Sequence, residues 1–292
     1  MARRRLITGI LFISPWVVGF LAFTLFPIAA SLYYSLCDYR VLSPPRFVGL
    51  ANYSTLVRDE YFWRSLLNTA FMFIELPIAV AFGIGIAMLL NQAVKGLPFF
   101  RTVFYLPAIV PTVAVSMLWL WIFNPDLGLM NAALSKFGFP TFGWLVDPKS
   151  AKPAFIIMDL WGVGSGMIIY LAALQGVPQH LQEAAALDGA GTLSRVRHVT
   201  LPAISPVIFF MVVTGMIGLF QYFTQAFIMT SPRGGPEHST LFYALYLFQN
   251  AFEYFKMGYA CATGWILFVI SVIATVVVFR TSARWVYYEE ER

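Results

Sequence analysis

The chain consists of long apolar stretches separated by short polar segments. Four stretches contain no Asp, Glu, Lys or Arg, and they are Leu6–Cys37, Thr102–Pro125, Leu201–Pro232 and Met257–Phe279. Two more, Ser65–Val94 and Pro153–Gln182, are interrupted only by Glu75 and Asp159. A helix of about 20 apolar residues crosses the hydrocarbon core of a bilayer. The pattern predicts an all-α membrane protein with six spans, at residues 6–36, 65–94, 102–124, 153–176, 203–230 and 258–280.

Positive charge predicts the orientation of these spans. Arg3, Arg4 and Arg5 precede the first apolar stretch. By the positive-inside rule they place the N-terminus in the cytoplasm, and six spans return the C-terminus to the same side. The loop at residues 177–201 is then cytoplasmic. We expect a single multi-pass domain over residues 1–292 in the plasma membrane.

Proline and glycine inside the spans predict a bundle with kinked helices. Each internal proline removes a helix hydrogen bond, and the five prolines in question are Pro15, Pro27, Pro77, Pro107 and Pro111. Gly162, Gly164 and Gly166 allow another backbone to approach one helix closely, with Gly162 and Gly166 forming a small-xxx-small pair.

Composition excludes other classes of protein. Apolar residues make up 59% of the chain and charged residues 11%, whereas soluble domains have about 45–50% and about 25%. The 28 Phe and 8 Trp exclude a disordered chain. The net charge of +5 is spread along the chain without a dense basic block. Contact with anionic lipid therefore explains it better than nucleic acid does.

The sequence contains few groups for catalysis. There is no P-loop motif, so the chain alone does not bind ATP in that way, and His180, His198 and His238 lack the cysteine partners of a metal site. Ser165 between two glycines is a candidate nucleophile of an intramembrane hydrolase. Val163 stands where the nucleophile-elbow motif requires glycine, so close packing is the favoured interpretation and no enzyme is expected.

Two acidic residues lie inside predicted spans. An ionisable side chain at membrane depth is a functional candidate. Glu75 and Asp159 are therefore candidate proton carriers of a proton-coupled secondary transporter. Each stands alone in its helix without an intramembrane cation, which favours a structural role or contact with a wet cavity.

The loop after the fourth span is predicted to contain a short helix. Pro178 is predicted to start it at the first helical position, three alanines and two leucines continue it, and Gly189 ends it. The small side chains give this helix a shallow face. Such a face fits into a groove of another protein.

The residues of this loop carry a family resemblance. Glu183-Ala184-Ala185, then Asp188-Gly189-Ala190, then Leu201-Pro202 and Pro206 reproduce the pattern EAA-x-x-DGA followed by LP-x-x-x-P. This pattern is typical of the membrane subunits of binding-protein-dependent ABC importers. The chain resembles the carbohydrate branch, with maltose-type and glycerol-phosphate-type permeases, and the likeness extends to the stretch Trp119–Asn131 and to nearly the whole chain after Leu6.

The resemblance implies a division of labour in a bacterial plasma membrane. It implies the type I importer permease fold, with a cytoplasmic coupling helix formed by Glu183, Ala184, Ala185, Asp188, Gly189 and Ala190. ATP and Mg²⁺ would be bound by two separate ATPase subunits, with no cofactor on this chain. A second, homologous permease would complete the pathway. An extracytoplasmic binding protein would deliver the solute.

Polar and aromatic residues of the spans suggest where a sugar-like solute is held. Sugars bind through aromatic faces and directed hydrogen bonds. Gln221 and Gln225 are four residues apart on the fifth span, with Tyr222 between them, and Trp119 and Asn68 on other spans are further candidates. Contact between helices is the alternative role for each of these residues.

Overall fold

The described part of the chain is almost entirely helical. The computed structural model describes residues 2–92 and 95–287, with the backbone alone for residues 2–8. Val94, the predicted end of the second span, and the side chains of Arg3, Arg4 and Arg5 lie outside the described parts. The described residues form 17 α-helices and one antiparallel ladder of two short strands, β1 (Cys37–Asp38) and β2 (Arg46–Phe47).

The helices follow one another with short connections. The first eight are α1 (Ala2–Phe20), α2 (Phe26–Ser35), α3 (Ala51–Arg58), α4 (Glu60–Met72), α5 (Glu75–Leu90), α6 (Leu97–Ile109), α7 (Thr112–Ile122) and α8 (Leu129–Lys136). The remaining nine are α9 (Pro148–Trp161), α10 (Gly164–Gln175), α11 (Gln179–Leu187), α12 (Thr192–Arg195), α13 (Leu201–Ala203), α14 (Ser205–Phe220), α15 (Thr224–Met229), α16 (Tyr243–Phe248) and α17 (Met257–Ser282). Single π-helical turns join α1 to α2 and α12 to α13.

The predicted spans appear as three long helical segments and three bent pairs. The long segments are Gly9–Ser35, Glu60–Leu90 and Met257–Ser282. The pairs are α6 with α7, bent by 98°, α9 with α10, bent by 48°, and Thr192–Ala203 with α14, bent by 68°. The described chain therefore holds up to six spans, if each bent pair crosses the membrane once.

Several helical segments start earlier than the sequence pattern predicts. Among them, helices begin at Glu60, Leu97 and Pro148, before the predicted boundaries at residues 65, 102 and 153. These predicted boundaries follow Arg64, Arg101 and Lys152 because they were set by the absence of charge. The helices continue through these charged residues, since a helical backbone satisfies its own hydrogen bonds beyond the apolar core.

Proline explains the sharpest bend, as the sequence predicts. Val110 ends α6 in an extended conformation, with ψ of 130°, and Pro111 precedes the first turn of α7. A residue before proline is driven from the helical to the extended region by contact with the proline ring. The chain therefore turns between Val110 and Pro111.

One compact unit combines the chain up to Phe62 with Leu247–Val269. Gly258 of α17 lies so close to the carbonyl oxygen of Cys37 that a Cβ atom there would overlap it. The Asn52 amide donates to the carbonyl oxygens of Ser35 (2.8 Å) and Cys37 (2.9 Å). The Tyr259 hydroxyl donates to an Asp59 carboxylate oxygen at 2.9 Å. These polar contacts hold the end of α2 and the two short strands within this unit.

The second unit contains Trp63–Tyr246 and the chain from Ile270 onward. Its core is the packing of α5 against α10, where Ala87, Met167 and Tyr170 are almost completely buried. A Cβ atom on Gly83 would lie 3.0 Å from the Tyr170 ring. Glycine at this position therefore lets the aromatic ring pack directly against the backbone of α5.

The three predicted packing glycines of the fourth span differ in role. A Cβ atom on Gly164 would overlap the backbone carbonyl oxygen of Phe104 on α6, and one on Gly166 would lie 3.1 Å from the Met211 methyl group. A Cβ atom on Gly162 would meet nothing within 4 Å except a carbonyl oxygen of its own turn, Asp159 O. The predicted pairing of Gly162 with Gly166 is wrong, because the helix breaks after Trp161 and Gly164 makes the backbone contact.

We therefore expect Gly164→Ala to destabilise the protein and Gly162→Ala to be tolerated. The added methyl group at residue 164 has to push α6 away, and overpacking of this kind costs about 1–3 kcal/mol. Thermal unfolding of the purified proteins in detergent measures the difference. Equal midpoints for the two variants would show that α6 and α10 do not depend on this close approach.

Candidate functional site

A cavity of about 370 Å³ lies among α5, α9, α10, α14 and α15 in the second unit. Its polar lining consists of Glu75, Asp159, Ser165, Tyr170, Tyr222 and Gln225. A second cavity of about 230 Å³ shares Asp159, Ser165 and Gln225 and extends to Pro107 and Thr112. Polar groups from three predicted spans therefore meet around one space.

Four helix breaks border these two cavities. The breaks fall at residues 73–74, 110–111, 162–163 and 221–223. One residue beside or within each break lines a cavity, namely Glu75, Val110, Val163 and Tyr222. Non-helical backbone is tolerated at membrane depth where it lines a cavity, and interrupted helices mark binding sites in transporters.

The two acidic residues do not stand alone. Glu75 and Asp159 line the same cavity, together with Gln225, and none of the described residues in that lining is Lys, Arg or His. An Asp159 carboxylate oxygen accepts a hydrogen bond of 2.7 Å from the Tyr222 hydroxyl. The Glu75 Oε2 atom is buried and has no hydrogen-bond partner among the described residues. Sequence spacing could not show this meeting, because the two residues lie on separate spans.

Tyr222 is held in place by aromatic packing. Its ring meets the rings of Phe155 and Phe242 edge to face, with centroids 5.8 and 5.2 Å away. The hydroxyl at the far end of the ring reaches Asp159. The break between α14 and α15 is therefore fixed by one buried side chain that is apolar along its body and polar at its tip.

The predicted pairing of Gln221 with Gln225 on one helix face is wrong. Helix α14 ends at Phe220, and α15 begins only at Thr224. Phe223, with φ of −138° and ψ of −59°, interrupts the helical path. Gln225 lines the cavity, whereas Gln221 is exposed and absent from its described lining.

Trp119 and Asn68 are buried but do not belong to the described cavity lining. Trp119 packs against Phe123 and Trp161, with ring centroids 4.8 and 6.1 Å away. The Asn68 amide donates to the carbonyl oxygens of His238 (2.9 Å) and Leu241 (3.1 Å). Its own oxygen accepts from the Lys152 ammonium at 3.0 Å. Asn68 therefore has its hydrogen-bonding groups engaged within the protein.

Helix α11 in the loop at residues 177–201 ends in a Schellman motif. The backbone N–H of Ala190 donates to Ala185 O (2.9 Å), and that of Gly189 donates to Ala186 O (3.1 Å). Gly189 has φ of +81°, a conformation that side chains disfavour. The prediction that Gly189 ends this helix is confirmed. Pro178, predicted to be the first residue of the helix, lies one position before it, because α11 begins at Gln179.

The loop presents an apolar surface that the sequence interpretation missed. Leu187 is 90% exposed and Leu193 is 82% exposed. Glu183, Ala184 and Asp188 are also exposed, whereas Ala185 and Ala190 are half-buried. The Gln182 amide donates to the Thr200 hydroxyl at 2.9 Å and ties α11 to the rest of the loop. The sequence predicts a shallow face of small side chains, whereas in the structure Leu187 and Leu193 also project from the loop.

The described residues do not form a metal centre. Across residues 2–92 and 95–287, no three His, Cys, Asp or Glu side chains come together as a metal-binding group. His198 Nδ1 lies 3.0 Å from the carbonyl oxygen of Ser194, within its own loop. Ser165 lies in the cavity lining with two carboxyl groups and an amide.

Broken apolar helices around a polar cavity, together with a capped loop helix, are features of a membrane-embedded transport component. Residues 76–288 match the family described as "Binding-protein-dependent transport system inner membrane component". The chain belongs to this family. It is the transmembrane subunit of an ABC importer, and a transport component rather than an enzyme.

Relatives and solved structures agree with this family. The chain is 41% identical to the "Probable ABC transporter permease protein YesP" of Bacillus subtilis, over 99% of this chain and 94% of the relative. It is 33% identical to the "Diacetylchitobiose uptake system permease protein NgcF" of Streptomyces coelicolor, over 89% and 78%. A chain of a bacterial alginate ABC transporter, solved with its alginate-bound periplasmic protein, has the same fold, with a TM-score of 0.83, 23% identity and coverage of 97% and 96%.

These comparisons confirm the predicted class and fold. The importer family, the all-α membrane architecture and the type I permease fold follow from them. The family places the chain in the inner membrane. The proton-coupled secondary transporter, the alternative built on Glu75 and Asp159, gains no support from these relatives.

We expect Asn68→Leu to reduce stability without reducing transport by each folded complex. The change leaves the carbonyl oxygens of His238 and Leu241 without their donor, and an unpaired buried polar group costs about 1–3 kcal/mol. Thermal unfolding and uptake per folded complex are measured on the same preparation. Asn91→Leu, at an exposed asparagine after α5, is the control. If Asn68→Leu loses uptake while its stability is unchanged, Asn68 belongs to the solute pathway.

Proposed function

We propose that this chain forms half of the translocation pathway for a sugar or related polyhydroxylated solute. The meeting of four helix breaks around two adjoining polar cavities that share Asp159, Ser165 and Gln225 is the observation that carries this proposal. Family membership supports an importer, and a relative described as a diacetylchitobiose uptake permease supports a sugar. The cavity supplies acceptors and donors suited to hydroxyl groups.

Two of the residues predicted for the solute path, Gln225 and Tyr222, line the cavity. Gln225 offers an amide that both donates and accepts, and Asp159 and Glu75 offer carboxyl oxygens beside it. The Glu75 Oε2 atom is buried without a partner, so a solute hydroxyl that donates to it would satisfy it. We add Glu75 and Asp159 to the proposed solute contacts. Tyr222 positions Asp159 through its hydroxyl.

We infer the remaining subunits of the importer by analogy with the family. A second, homologous permease would supply the other half of the pathway, and two ATPase subunits would bind ATP and Mg²⁺, so that this chain needs no cofactor of its own. An extracytoplasmic binding protein would deliver the solute. The proposed orientation, with both termini in the cytoplasm, puts α11 on the side where ATP is hydrolysed.

Helix α11 is the proposed coupling element, with Glu183, Ala184, Ala185, Asp188, Gly189 and Ala190 as its motif residues. Leu187 and Leu193 project from the same loop and are suited to a groove on an ATPase subunit. The Schellman motif fixes how α11 ends. Movement of the ATPase pair would therefore pass through α11 to the bundle as a rigid-body displacement, which switches access to the cavity.

The two glutamines provide a matched test of the solute path. Gln225→Leu removes hydrogen bonds that a dehydrated solute needs, at a cost of about 1–3 kcal/mol. Uptake of a labelled sugar into vesicles containing the whole importer should fall roughly tenfold, since 1.4 kcal/mol is a factor of ten. Gln221→Leu, outside the cavity lining, should leave uptake near normal. Reduced stability with normal uptake in Gln225→Leu would show that this amide only joins helices.

Two glycines of the loop provide a matched test of coupling. Gly189→Val puts a β-branched residue at φ of +81°, which costs about 1–3 kcal/mol of local strain. Gly191→Val is the control, because Gly191 has an extended backbone with φ of −66° and open space around its Cβ position. Gly189→Val should insert normally but lose the stimulation of ATP hydrolysis by solute-loaded binding protein.

If solute-loaded binding protein still stimulates ATP hydrolysis in Gly189→Val, α11 is not the coupling element. A carrier driven by protons alone would be indifferent to both changes, so continued uptake by Gly189→Val without ATP would contradict the importer mechanism itself. Gly191→Val should behave like the unmodified protein in insertion, stimulation and uptake.

A further inference from the structure

The connection between α7 and α9 carries large apolar side chains that remain exposed. We call residues 127–142 the tip segment; it contains α8. Within it Leu127 is 90% exposed, Phe137 76%, Leu129 71% and Phe139 61%. The solute pathway and the coupling loop use none of these residues. Phe142, at the end of the segment, is also exposed. The exposure of so many large apolar side chains in one short segment indicates that lipid or another molecule covers this surface.

The tip segment is held rigidly in this arrangement by Asn131. The buried Asn131 amide donates to Pro125 O and to Phe142 O, both at 2.9 Å. Its oxygen accepts from the Phe142 backbone at 3.2 Å and from the Trp144 indole at 2.7 Å. One side chain therefore ties both ends of the segment together. The apolar side chains project from a closed turn rather than from a loose loop.

The polar groups of the tip segment point to lipid as the covering medium. The tip segment has one charged residue, Lys136, which is exposed, and no acidic residue, although the exposed Asp126 directly precedes it. A basic residue beside apolar side chains suits a bilayer surface with anionic head groups. A protein partner would be met by hydrogen-bonding groups around the apolar patch. Here Asn131, the principal amide, is turned inward.

The exposed apolar surface of the tip segment continues that of the preceding span. In α7, Trp121 is 83% exposed and Met117 is 58% exposed. Leu127 follows the last residue of α7, Ile122, by five positions. The polar zone of a bilayer is about 5–8 Å deep on each side of the hydrocarbon core. The tip segment begins just after the end of α7, so it can lie within this zone.

We propose that the tip segment lies in the bilayer interface, with Leu127, Leu129, Phe137 and Phe139 inserted among the lipids and Lys136 at the head groups. It would anchor the α7–α9 connection against the membrane while the helices around the cavity move. The inference requires only that the chain is a membrane component, so it is independent of the solute path and of the coupling helix.

Fluorescence from single labelled sites tests this placement in the assembled importer. Cys37 and Cys261 are first replaced by serine, and a cysteine at Leu127 or Phe139 is labelled with an environment-sensitive fluorophore. Lys149, an exposed polar position in the first turn of α9, is the matched control site. The importer is reconstituted in vesicles of phosphatidylethanolamine and phosphatidylglycerol that contain spin-labelled lipid, with the spin label near the head group or near the chain end.

Labels at residues 127 and 139 should emit at short wavelength and be quenched several-fold more strongly than the label at residue 149. Lipid labelled near the head group should quench them more than lipid labelled near the chain end. Emission typical of water would overturn the proposal. Short-wavelength emission without quenching would overturn it as well, because a protein partner would then cover the segment. If the label at residue 149 is quenched as strongly as those at residues 127 and 139, the tip segment is not a specific membrane anchor.

Discussion

The hydrogen-bonding requirement of the backbone inside a bilayer governs this structure. No water is available in the hydrocarbon core for free N–H and C=O groups, so a chain that faces this core is helical. Breaks are tolerated where the freed groups face a polar space. Four breaks meet such a space, around Glu75, Val110, Val163 and Tyr222. The position of the cavity and the positions of the broken helices are therefore two consequences of one constraint.

The cavity depends in turn on a few buried contacts between helices. Tyr222 holds the break before α15 because its ring packs against Phe155 and Phe242 while its hydroxyl reaches Asp159. Gly164 lets α10 approach the backbone of α6 beside the same cavity. An apolar bundle offers little directional preference, so these polar and close-packed contacts determine which arrangement the helices adopt. The polar groups left facing the cavity are Glu75, Asp159, Ser165, Tyr170, Tyr222 and Gln225.

Outside the cavity, two exposed segments owe their shape to local hydrogen bonds. Helix α11 ends at Gly189 through paired backbone bonds, and the tip segment is closed by Asn131. Each holds leucine or phenylalanine side chains away from the body of the protein, with Leu187 at one and Leu127 at the other. These hydrogen bonds fix the backbone beneath the exposed side chains. Rigid display of this kind suits contact with a moving subunit at α11 and with lipid at the tip segment.

The class of protein, the apolar spans and the local helix signals can be predicted from the sequence. Stretches without charge indicate segments that can cross a bilayer. Pro111 predicts the sharpest bend, and Asp188-Gly189-Ala190 predicts the end of α11, because both effects act within a few residues. The arrangement of the polar cavity, in contrast, follows only from the packing of distant helices. The break between Gln221 and Gln225 depends on Asp159, 63 residues from Tyr222, and Asn68 is engaged by His238, 170 residues away. Periodicity records spacing along one helix, so it cannot show where partners from distant helices interrupt that helix or occupy a side chain.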